Sequence, residues 1–427
     1  ASISGGIIQT TLSAEGAETI SINAASGSLT VGSSAATTFS VVASGGMTLT
    51  TKLSGITTLT MDTGDGKITA ETLGTNKLTT ATIAGSGTGA AVSLGTHSGS
   101  GTTVYSLSGL AGGVSATGIT NTSGTITISA ANLEGSIDID KISGGTTTIA
   151  GGTGGNMTLD SVLVRNGFTL DNSAFTSGSG STTLTLVSAG AASTIAMGSN
   201  ASGGLTVTDA TFGNNLTLDA SNFGGTIDVT RLSTSGTLSV SIGARGDFSA
   251  VSMESVGNMT FDGSKGATGS VSLNDISAAG NATFSMGSGS GSFLMTTGLV
   301  GGNFTLDGSK FEGSMDVSSL TASGTTVVSV GALGDFSATQ VHSLGNFTLD
   351  ASLAATGRLT LTNVSSNGSF TLSMGSGSGA LSLGASNAVR ASSTLTLDAS
   401  KFNGTIDAMA LSASGAITIS VGPKGDY

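Results

Sequence analysis

The residues of this chain best suited to chemistry are its carboxylates, and they recur. Asp219, Asp262, Asp307, Asp350 and Asp398 each close a Leu-Asp or Phe-Asp pair, at intervals of roughly 43 to 48 residues. Two carboxylates flanking one bond could serve as general acid and base, as in sugar-cleaving β-helices. A catalytic pair should occur once. A carboxylate that returns in step with a repeat is expected to shape a turn at a strand end, where Asp hydrogen-bonds its own backbone two residues on.

Other constellations meet the same test. Arg245-Gly246-Asp247 reads as an integrin-type tripeptide, but its aligned copies are Leu333-Gly334-Asp335 and Lys424-Gly425-Asp426, so the Arg is repeat drift. Asp62-Thr63-Gly64-Asp65-Gly66-Lys67 resembles an oxygen-ligand calcium loop and lacks the bidentate Glu downstream. A Gly-Asp-Gly turn is the expected reading there. Eleven Asn-x-Ser/Thr sites, among them Asn215, Asn258, Asn303 and Asn346, permit glycosylation. His97 and His342 stand alone, with no Cys or second His near either in sequence, so neither predicts a metal site. Thr-x-Thr pairs (Thr48/Thr50, Thr125/Thr127, Thr360/Thr362, Thr394/Thr396) would suit an ice-binding face if stacked, and they look scattered. No Ser-His-Asp arrangement, P-loop or Rossmann fingerprint is present. The chain is read as a non-enzyme, with no catalytic, cofactor-binding or metal-binding residue, and with calcium as the one ion its loops admit.

The elements behind these residues are repeats, which set the architecture. The stretch 302–336 returns at 215–248 and 394–427, a period of roughly 90 residues. Within it lies a period of roughly 44, and within that a unit of roughly 11 that reads apolar-x-apolar and then Gly, Ser, Asn or Asp. Alternation over three to five residues is a strand with one buried face. Short, near-identical units at near-constant spacing predict an all-β parallel β-solenoid, not a sandwich with its unlike strands and Greek-key loops. A duplicated block must restart at the same azimuth, so 44 residues should be two coils of about 22, each with two strands. The predicted core includes Leu216, Leu218, Phe223, Ile227 and Val229. It continues with Phe304, Leu306, Phe311, Met315, Val317, Leu320, Val328, Val330, Phe336, Phe347 and Leu349. A last block adds Leu395, Leu397, Phe402, Ile406, Ile417 and Ile419. Residues 1–124 are diverged solenoid repeats, and 125–427 regular ones that continue the first segment. The final Gly425-Asp426-Tyr427 stops at the first inward residue of a strand, which predicts a polypeptide that runs on or an end that docks on another copy.

Composition narrows the class. Of 427 residues, 69 are Gly, one is Pro, none is Cys or Trp, and 9% are charged against the usual ~25%. Ser and Thr make up about a third. Disorder is rejected because 37% of residues are hydrophobic and hold a strict phase. A net charge of −12 with no basic cluster excludes nucleic acid as a partner and disfavours anionic membranes. No apolar run approaches the ~20 residues of a membrane span. Lack of Cys removes disulfides and thiolate metal sites.

With its apolar-Thr-apolar-Asp strands, Gly/Ser/Thr/Ala richness, acidic pI and lack of Cys, the whole chain resembles the repeat regions of large bacterial cell-surface proteins. These include S-layer proteins and filamentous-haemagglutinin-like or autotransporter adhesins. The resemblance implies a secreted, extracellular structural protein whose partners are copies of itself and cell-surface polysaccharide. The alternatives it leaves are an adhesin stalk and, third, a carbohydrate-active β-helix. The GGxGxDx calcium repeat of related surface proteins is absent.

Overall fold

The computed structural model describes residues 1–13, 16–33, 35–53, 55–73, 77–99, 101–121, 123–174, 180–199, 203–265, 269–354, 356–384, 389–408 and 410–422. The motif Lys424-Gly425-Asp426-Tyr427 lies outside them. Contacts divide the chain into two compact units, Ala1–Asn214 and Asn215–Tyr427. Each is a parallel β-solenoid, and every regular element described is a strand. Strands pair in parallel with the strand about one coil ahead: Thr38 pairs with Thr58, Phe304 with Thr326, and Thr326 with Phe347. Phe304 and Phe347 are therefore equivalent positions two coils apart, as the 44-residue period requires. In the first unit, Val104 pairs with Thr127, so the ladder runs through residue 124 without a break.

Each coil holds two strands, but not two alike. One is short, such as Phe304–Gly308, and alternates in and out like any half-buried strand. The other is long, such as Val271–Ala278. In that strand Val271, Leu273, Ile276 and Ala278 face inward while Asn274 and Asp275, side by side, both face out. Two consecutive outward residues reverse the alternation, and the strand bends there. In one coil the bend becomes a break between Arg358–Leu361 and Val364–Ser366, with Asn363 in the left-handed region at φ 59°. The coil thus has three inward flats on two strands. The even 11-residue ruler missed this, because a bend without a Gly or Pro leaves no mark in composition.

The core is a continuous file of aliphatic and aromatic side chains. Phe347 stacks on Phe370 one coil ahead, ring centroids 5.0 Å apart and planes within 3°. Phe261 likewise stacks on Phe284 at 6.0 Å. The predicted inward residues from Leu216 to Ile406 are all buried. Ile417 and Ile419 are not: they are 45% and 49% exposed, because their strand pairs on one side only, with Leu395–Ala399.

Two corners explain the glycine. Before most short strands of the second unit, glycines stack directly: Gly345 N–H donates to the Gly324 carbonyl at 2.9 Å and Gly368 N–H to Gly345 at 3.0 Å. A Cβ on Gly345 would lie 2.8 Å from the Gly324 carbonyl, so glycine relieves the crowding where these turns stack, and Ser393 is the one rung of this column that carries a side chain. After the short strands, coils alternate. In one kind a tight turn drives Phe223, Phe311 or Phe402 into the core. In the next kind Gly243, Gly331 or Gly422 crosses over that turn's carbonyl, where any Cβ would strike it. The tight-turn corner, which holds Ala354 in one coil, and the bare corner alternate, which makes the structural repeat two coils.

Candidate functional site

The recurrent carboxylates sit at the end of the short strands, and the structure gives each the same task. Asp219, Asp262, Asp307, Asp350 and Asp398 accept the backbone N–H of Ser221, Ser264, Ser309, Ser352 and Ser400 through Oδ1, at 2.9–3.1 Å. These are Asx turns. Asp171 does the same with Ser173 in the first unit. The Ser400 hydroxyl and N–H hold the Asp398 carboxyl below its usual range, with a smaller contribution from Lys401. The carboxylates do not converge. Along the second unit they lie in one register column with a serine between each pair: Asp219, Ser241, Asp262, Ser285, Asp307, Ser329, Asp350, Ser373, Asp398, Ser420. Neighbouring turns stand about 4.8 Å apart, so successive carboxylates are about 9.6 Å apart.

The sequon asparagines form a second column, at the corner before the short strand. Asn258 Oδ1 accepts the N–H of Asn281, Asn281 that of Asn303, and Asn303 that of Thr325, at 2.8–2.9 Å. Asn215 and Asn346 make the same bond to Thr237 and Ser369. Each asparagine caps a backbone donor one coil ahead that the corner would otherwise leave without a protein partner. This ladder accounts for the repeated Asn-x-Thr phrase.

Of the remaining candidates, the aspartates are likewise engaged by backbone. Asp247 of the Arg-Gly-Asp tripeptide accepts the Ser270 N–H at 2.7 Å, while Arg245 is exposed. In the 62–67 loop, Asp62 caps Gly64 at 3.0 Å and Asp65 accepts from Gly89 at 3.3 Å. His342 Nδ1 meets the Ser365 hydroxyl at 2.7 Å. His97 is fully buried beside Tyr105. Asp138 is raised above the usual carboxylate range, first by partial burial and then by the charges of Asp140 and Asp160. Among the described residues, no group of three or more His, Asp or Glu side chains is placed to hold a metal ion, and no helix is long and apolar enough to cross a membrane.

One feature escaped the sequence. The Thr-x-Thr pairs are scattered, with Thr48/Thr50 and Thr360 on the long-strand ladders, but single threonines of the short strands stack. In the first unit Thr38, Thr58, Thr80, Val104, Thr127, Thr148, Thr169 and Thr194 occupy a single outward column. In the second unit the same column reads Thr217, Ser239, Thr260, Thr283, Thr305, Val327, Thr348, Thr371, Thr396, Thr418. Two residues along each strand stands the Asp/Ser column, or in the first unit Ser40, Thr60, Thr82, Ser106 and Ser129. The short strands of each unit thus present a largely hydroxyl column, interrupted by Val104 in the first unit and Val327 in the second. Thr is β-branched and suits an exposed strand position, and cross-strand Thr pairs stabilise the ladder. The signal that would have found it is the residue just before the inward Phe39, Leu59, Ala81, Ile128, Leu170 or Leu218 of each short strand, aligned coil by coil.

No protein-family model matches the sequence, and neither a curated protein nor a solved structure matches the chain.

Proposed function

We propose that this chain is an extracellular structural protein, a subunit of a self-assembling surface layer or filament, and that it carries no catalytic activity. One observation supports this reading above the others. The recurrent Asp and Asn side chains are spent on backbone capping, and what each unit offers outward is a repeating, largely hydroxyl column. A surface that repeats every coil can meet a copy of itself in many equivalent registers, which favours lattices over discrete complexes. The partners are copies of the chain, with cell-surface polysaccharide as the other surface rich in matching hydroxyls. No cofactor is required, and calcium would act only by bridging the exposed Asp columns of separate copies.

Electron microscopy and sedimentation of the purified protein, from dilute to concentrated and with or without calcium, test the proposal. Sheets or fibres are the expected outcome. A protein that stays monomeric at every concentration in both conditions overturns it and favours the adhesin stalk.

A further inference from the structure

We propose that His97 is an acid-sensitive plug: when its imidazole takes up a proton, the turns of the first unit around Ala91–Gly99 open, while the turns of the second unit stay closed.

The geometry carries this. His97 is 0% exposed, and neither Nδ1 nor Nε2 has a hydrogen-bond partner. Its ring meets Tyr105 edge-on at 6.1 Å. Its register column is otherwise aliphatic, since it pairs with Leu73 on one side and Ile119 on the other, and the column continues through Ile142, Val162 and Val187. The site is built for a hydrocarbon and holds an imidazole. Among the side chains described on the strands around it, no acid stands ready to receive a proton's charge. His97 is the only titratable residue of Ala91–Gly99, and Gly113–Asn121 and Thr80–Ala84 have none. Thr103–Ser108 contributes Tyr105 alone. Lys67–Leu73 carries Lys67, six residues from the Leu73 that pairs with His97, and Glu71. The second unit has one histidine, His342, which is half-buried and bonded to Ser365.

An unpartnered imidazolium is not tolerated in such a site. Burial alone pushes the ring's pKa down from 6.5 to about 4. The open form regains the ordinary value, so below pH 6.5 it binds more protons than the closed form. Stability from this group is therefore complete above pH 6.5 and falls as the pH drops towards 4. The opening equilibrium rises about a hundredfold by pH 4.5 and about 300-fold at lower pH.

Amide hydrogen exchange on the whole chain, corrected for the intrinsic pH dependence of exchange, reads this directly. Between pH 7.5 and 4.5, the segments 91–99 and 113–121 should lose protection about a hundredfold, while 292–300 and 314–322 do not. In His97→Ile, a residue that the column already accepts at positions 119 and 142, the loss should vanish. Equal acid sensitivity in wild type and His97→Ile, or uniform loss across both units, overturns the proposal. Should the variant not fold, proton NMR of the wild-type ring decides. A His97 ring that stays neutral at pH 5 agrees with the plug, and one that titrates near 6.5 refutes it.

Discussion

Phe311 lies in a turn, yet no water reaches it. Its N–H donates to the Gly308 carbonyl at 2.9 Å, and that tight turn aims the ring into the coil. Phe311→Asp would leave an unpaired carboxylate there and should cost several kcal/mol. Arg245→Ala, at an exposed side chain of a turn whose Asp does the capping, should change stability by less than about 0.5 kcal/mol. Thermal unfolding of the two variants checks both, and similar shifts would show the core assignment to be mistaken. Asp turns and inward apolar residues were legible residue by residue, because each obeys a local rule of spacing. Ile417 and Ile419 obey the same rule and are exposed all the same. Burial also needs a neighbouring turn on each side, and that is a fact about the next strand.

At the scale of the strand, alternation of Asp and Ser along one column has a simple electrostatic cause. Two carboxylates one rung apart, at about 4.8 Å, repel by about 0.9 kcal/mol even in water, and a continuous column would accumulate that penalty at every step. A serine in each alternate coil doubles the separation. Ser285→Asp with Ser329→Asp makes five consecutive rungs acidic, from Asp262 to Asp350. The double variant should unfold at lower temperature in low salt and recover most of the loss in molar salt, where the Debye length is about 3 Å. A shift that salt does not change would point to packing. The threonine column was illegible for a related reason. Register partners are 20 residues apart at Thr38/Thr58 and 25 apart at Thr169/Thr194, because the corners vary in length. A fixed ruler slides out of phase, whereas hydrogen bonds hold the strands in step.

Across the second unit, the structural repeat is the pair of coils, since the tight-turn corner alternates with the bare Gly corner. Excision should respect that unit. Deleting 304–346 joins Asn303 to Phe347, which holds the place of Phe304 two coils on. This protein should fold with one cooperative transition. Deleting 304–325 joins Asn303 to Thr326 and sets two coils with bare glycine corners, at Gly287 and Gly331, side by side with no tight-turn corner between them. It should unfold at markedly lower temperature although it is the longer chain. Equal stability of the two would separate the two-coil repeat from any packing requirement. Parallel stacking also decides how such a chain bears load. The bonds between turns point along the stacking direction, so tension along it falls on one set of rungs at a time. Each set that yields frees a turn of about 22 residues, roughly 70 Å of slack, before the next is loaded. Either unit, pulled, would pay out length in even steps and absorb work at each, as a tether that yields without snapping.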